Sequence, residues 1–110
     1  MIKLSVMYPN QPDATFDTDY YLTSHLALVR RLLGSTLKRG AVDLGVTTPG
    51  ASSPYLVIGH LTFESMEAYE AAMAAHGDTL RADIPNYTNL QPVFQLSEVV
   101  ISGEPAAQVA

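Results

Sequence analysis

The sequence predicts an α+β domain in which four strands and two helices follow one another as βαββαβ. Two observations carry that expectation. Short runs rich in Val, Ile, Leu, Tyr and Phe, bounded by Pro, Gly and Asn, mark strands, and two longer stretches repeat their apolar residues at helical spacing. The helical stretches fall one after the first strand and one after the third. At 110 residues the chain accommodates one domain, small enough that association with a second copy adds useful burial. The domain is expected over residues 1–102, with 103–110, G-E-P-A-A-Q-V-A, as a tail without periodicity, loosely held or borrowed by a partner.

Residues 2–8 are an apolar run ended by Pro9 and the turn-like N-Q-P-D, a first strand. Helix one begins near Asp17 and ends at Gly34, a suitable residue just past a helix end, with Arg30 and Arg31 in the last turns. Asp17 and Asp19 suit its first turn, where exposed N–H groups and the macrodipole favour negative charge. Its apolar positions form two adjacent rows, Leu22, Leu26, Val29, Leu33 and Tyr21, His25, Leu28, Leu32. A stripe that wide is covered on more than one side, and it puts His25 in the buried half.

Residues 37–47 read as a second, bent strand interrupted by Gly40 and Gly45, followed by a loop, T-T-P-G-A-S-S-P. Tyr55 to Phe63, Y-L-V-I-G-H-L-T-F, is apolar on both alternating faces and is expected to be covered on both. Ser65 caps helix two, with Glu67 in its first turn; Met66, Tyr69, Met73, His76 and Leu80 follow along one face. Gly77-Asp78 is expected to break or kink this helix, and Pro85 closes the turn that follows. A last strand covers Val93 to Ile101. This order is the split-βαβ or ferredoxin-like pattern, with both helices on one face of the sheet. The strands' apolar residues on the other face then call for a cover, and the simplest is a second copy, sheet against sheet.

Composition removes several function classes. A formal net charge of −5 argues against nucleic acid and anionic membranes. With no Cys there is no disulfide, thiolate nucleophile or zinc–cysteine site. No signal peptide and no run of about 20 apolar residues is present, so a cytoplasmic protein is expected. The sequence contains no G-x-S-x-G elbow, no phosphate-binding Gly loop and no helical metal-ligand spacing, so neither a cofactor nor a metal is expected.

What remains is acid–base chemistry by His, Tyr and Asp in an apolar pocket, suited to moving protons on a phenolic or enolisable skeleton. The expected pocket lies between sheet and helix one. His25 and Tyr21, one helical turn apart, are its candidate catalytic pair, with Tyr8 on the strand beside them and Asp19 at the helix mouth. His60 interrupts the third strand beside Gly59, whose missing side chain leaves room for another group to approach. It is either a further ligand contact or a ring bonded to a cross-strand or subunit partner. The same Tyr21–His25 pair also reads as a hydrogen bond closing a core.

Phe16 to His25, F-D-T-D-Y-Y-L-T-S-H after a strand ending in Y-P, resembles the EthD family of dimeric α+β-barrel proteins. L-T-F-E-S-M-E-A-Y-E-A-A and Q-P-V-F-Q-L-S-E-V-V resemble its third strand with the start of helix two, and its last strand. Where members commonly carry H-x-P-L, this chain reads His25-Leu26-Ala27-Leu28, a change in local helix geometry that keeps the imidazole. The resemblance implies a homodimer whose sheets form a barrel, a pocket between sheet and helices in each subunit, and a place in catabolism beside ether-oxidising systems. Similar folds serve isomerases, cyclases, cofactor-free monooxygenases and haem-degrading enzymes. Three readings follow: cofactor-free catalysis on a small aromatic or lactone-like intermediate with His25 as proton shuttle, a non-catalytic accessory protein that sequesters such an intermediate, and haem binding through His76.

Overall fold

The computed structural model describes residues 1–103. Strand β1 (Ile2–Pro9) leads to helix α1, built from an α-helical turn (Thr18–Tyr20), a π-helical turn (Tyr21–His25) and a regular α-helix (Leu26–Leu33). Strands β2 (Arg39–Leu44) and β3 (Tyr55–Phe63), helix α2 (Met66–Asp83) and strand β4 (Val93–Glu98) complete the ferredoxin-like βαββαβ order. The four-stranded sheet runs β2-β3-β1-β4, every neighbouring pair antiparallel. β2 and β4 are shorter than expected by several residues, and the tail beyond Gly103 lies outside the described residues.

Both helices cover one face of the sheet. Leu4 and Phe63 from the strands pack with Val29 and Leu33 of α1 and Ala72 and Leu80 of α2, while Tyr8 and Val57 pack with Tyr21, Tyr87 and Leu90. The α1 row that faces the sheet is Tyr21, His25, Val29, Leu33, all buried, which crosses the two rows read from helical periodicity. In a straight α-helix, positions four apart drift round by about 40° per step. The π turn, where the Leu26 N–H reaches the Tyr21 carbonyl, takes up that drift and leaves Leu22 outside.

Two further expectations are corrected. Helix α2 runs unbroken through Gly77-Asp78. Gly77 is buried and borders the cavity between the buried core residues Ala72 and Leu80, whose packing outweighs the roughly 1 kcal/mol that Gly costs in a helix. The helix-free face of the sheet is also more polar than expected. Strand alternation and the β1–β3 register put Met7 and Ile58 there, but also Ser5, His60 and Thr62. His60 Nε2 lies 2.8 Å from Asp43 Oδ2 and its Nδ1 lies 3.1 Å from Ser5 Oγ, so the middle of that face is a hydrogen-bonded polar row.

Candidate active site

A cavity of about 500 Å³ opens between the two helices and the sheet. Its reactive end is set by three elements: Tyr8 from β1, Tyr21 and His25 from the π turn of α1, and Gly59 from β3. Tyr21 is buried and stacks on His25, ring centroids 5.5 Å apart and planes 15° from parallel. Its hydroxyl ends over Gly59, where an added Cβ would stand only 2.5 Å from Oη. Glycine at 59 is therefore the condition for Tyr21 to reach the strand. The Tyr21 hydroxyl has no hydrogen-bond partner within the described residues, and no fully buried side-chain polar atom lacks one, so this O–H is reached from the cavity.

His25 is held from behind. Its Nδ1 lies 2.9 Å from Asp83 Oδ2, while Asp83 Oδ1 accepts from the Tyr20 hydroxyl at 2.7 Å and from Asn86 Nδ2 at 2.9 Å. Burial pushes the Asp83 carboxyl up, but the hydrogen bonds from Asn86, His25 and Tyr20 outweigh it and hold it below the ordinary carboxylate range. An ionised carboxylate only accepts, so Nδ1 must carry the proton, and in a neutral imidazole Nε2 is then the free acceptor. His25 borders the cavity, and Nε2 has no partner among the described residues. The arrangement is an oriented base beside a hydroxyl donor, the geometry that proton transfer needs.

An aromatic cluster backs Tyr8 and Tyr21 from outside the cavity. Tyr8 and Tyr87 share a 2.5 Å hydroxyl–hydroxyl hydrogen bond, and Tyr87 lies 4.8 Å from the His25 ring. Phe16 meets Tyr8, Tyr21 and Tyr87 edge to face at 5.1–5.4 Å. Burial pushes the Tyr8 phenol up to about 12, and it pushes Tyr21 and Tyr87 up as well. These phenols stay protonated at neutral pH, so Tyr21 can act as a hydrogen-bond donor and not as a base.

Of the residues singled out from sequence, His25, Tyr21 and Tyr8 come together. Asp19 does not: it is exposed on the outer side of the first turn, where its carbonyl accepts from Thr23 Oγ1 at 2.6 Å. The adjacent Asp17 is the helix cap, accepting from the Tyr20 N–H at 3.0 Å. His60 is among the residues that border the cavity, but strand alternation points its ring to the opposite face of the sheet, where it is bound to Ser5 and Asp43. His76 lies on α2 between the lining residues Met73 and Gly77 and does not itself line the cavity. Sequence reasoning missed Asp83, Tyr20, Asn86 and Tyr87. One signal was available: an Asp closes α2, at the end where the helix dipole disfavours an anion, followed at once by I-P-N-Y.

Comparison with known proteins places the fold. The chain matches the EthD domain over residues 9–91. It is 38% identical to an EthD-like protein from Ralstonia eutropha JMP134, with 93% of this chain and 94% of that one aligned and a TM-score of 0.86. An ethyl tert-butyl ether degradation (EthD) family protein from Bacillus halodurans C-125 is 21% identical over 89% of this chain and 97% of that one, TM-score 0.70. A dimeric protein of unknown function and ferredoxin-like fold from Bacteroides fragilis NCTC 9343 shares the fold at 11% identity, covering 88% and 94%, TM-score 0.52. No curated protein matches. With the family's domain spanning most of its length and a 38% identical relative aligned almost end to end, the chain belongs to the EthD family.

Proposed function

We propose that this protein binds a small, largely apolar aromatic or alicyclic intermediate and moves a proton on it without a cofactor. The observation that carries the reading is that His25 Nε2 and the Tyr21 hydroxyl both open into one apolar cavity while Asp83 fixes the imidazole from behind. His25 would take a proton from a carbon beside a carbonyl, forming an imidazolium and an enolate. Tyr21 would donate a hydrogen bond to the enolate oxygen as its charge develops, and the imidazolium would return the proton to a different carbon or to the same one. Asp83 steadies the imidazolium without itself taking the proton.

The working form we propose is a cytoplasmic homodimer. Val93 on one face of edge strand β4, Phe94 and Leu96 on the other, and Val100 and Ile101 beyond it are all exposed in the single chain, an apolar edge that a second copy would cover. Among the described residues no helix is long and apolar enough to cross a membrane.

The test is exchange of deuterium into β-tetralone, followed by proton NMR in deuterium oxide. Wild type should accelerate exchange and His25→Ala should lose the acceleration while still binding the ketone. Binding without acceleration by wild type would instead favour an accessory protein that sequesters its ligand.

A further inference from the structure

We propose that the cavity's ligand is a singly charged organic acid whose carboxylate sits at Arg30 and Arg81. This rests on the binding reading above and names its substrate class. The chain has eleven acidic and six basic residues, yet the cavity lining contains no Asp or Glu and two of the four arginines. Arg30 forms no ion pair among the described residues. Arg81 meets Asp78 at 2.7 Å, but with side chains 55% and 102% exposed, the pair is solvated and leaves most guanidinium donors free. Gly77 shapes this end of the cavity: an added Cβ would stand 3.0 and 3.1 Å from the two terminal nitrogens of Arg81, so the bare helix surface lets the guanidinium lie against it.

A simpler account is that both arginines complement the C-terminal dipoles of their helices, since each lies in a last turn. Arg31 shares that position on α1 and does not line the cavity, so the dipole accounts for Arg31 and leaves unexplained why the two exposed side chains of Arg30 and Arg81 both border the cavity. The partial negative charge at the end of α2, beside Arg81, also bears on the ligand's charge: it is tolerable beside a carboxylate bound by guanidinium groups and opposes a phosphate dianion. A carboxylate anchored there would leave the apolar body to extend over Tyr21 and His25.

The experiment is calorimetric titration of the full chain with naphthoate, naphthylmethanol and naphthyl phosphate at fixed ionic strength. Naphthoate should bind at least about tenfold more tightly than the alcohol, and more tightly than the phosphate. That preference should shrink as salt is raised and vanish in the Arg30→Gln/Arg81→Gln variant. Equal binding of acid and alcohol by wild type, a salt-independent preference, or a preference retained in the variant would each overturn the proposal while leaving the binding reading intact. Tightest binding of the phosphate would replace the carboxylate by a phosphate ester. Binding of none of the three would overturn both readings.

Discussion

Gly59→Ala probes the closest approach in the site. An alanine Cβ there would stand 2.5 Å from the Tyr21 hydroxyl oxygen, and restoring ordinary contact requires a displacement of about 1 Å. Tyr21 has little room to supply it, being stacked on His25 and met by Phe16 at 5.2 Å and Tyr8 at 5.9 Å. The strand is equally fixed, paired on both sides by β1 and β2. Overpacking of this kind costs about 1–3 kcal/mol. For a domain of this size that lowers Tm by roughly 5–15 °C. Thermal unfolding followed by circular dichroism would read it, together with the affinity for β-tetralone, which should weaken as the hydroxyl is pushed from its place. Tyr21→Phe removes the clashing oxygen, so the double variant should recover most of the stability lost by Gly59→Ala alone. A Tm unchanged in Gly59→Ala, or no recovery in the double variant, would refute the contact.

Other consequences follow from the same geometry. Asp83→Asn keeps one acceptor where three donors converge, so it should destabilise the fold by about 1–3 kcal/mol and abolish proton exchange while the ketone still binds, read by unfolding and NMR. Because the Asp83 carboxyl is held below its ordinary value, its stabilisation is complete above the unfolded carboxylate pKa of about 4 and is lost as pH falls through the lower folded value. Wild type should therefore lose stability towards acid more steeply than Asp83→Asn. Tyr8, pushed up to about 12, and Tyr21 and Tyr87, also pushed up, stabilise fully below the ordinary phenol pKa of about 10 and lose that contribution as pH rises above it. Their tyrosinate absorbance should emerge together with alkaline unfolding, and emergence in a folded chain would contradict their burial. Sedimentation at micromolar concentration should give a dimer mass, with a shift to monomer in Phe94→Glu.

The elements that could be read from sequence were those with strong local patterns. Y-L-V-I-G-H-L-T-F gave β3 with its bounds, Ser65 gave the start of α2 through its bond to the Ala68 N–H, and Tyr8, Tyr21 and His25 met as the periodicities implied. What stayed hidden depended on long-range placement. Asp83 is 58 residues from His25, and nothing local shows that the end of one helix will back the π turn of the other. His60 looked apolar-flanked in sequence, but which face it takes is decided by the β1–β3 register, which pairs it with Ser5. Gly77 looked like a helix breaker because propensity weighs a residue without its neighbours, and α2 continues through it with the buried Ala72 and Leu80 on either side.

The central claim is that Asp83 holds the His25 proton on Nδ1 and leaves Nε2 as the base facing the cavity. Long-range proton–nitrogen NMR of labelled protein at neutral pH reads this directly. The neutral His25 ring should carry its proton on Nδ1 and leave Nε2 bare in wild type, with a shift of the Nε2 resonance when β-tetralone is added and loss of the fixed tautomer in Asp83→Asn. A proton found on Nε2 of neutral His25, or an Nε2 resonance indifferent to the ligand, would contradict it.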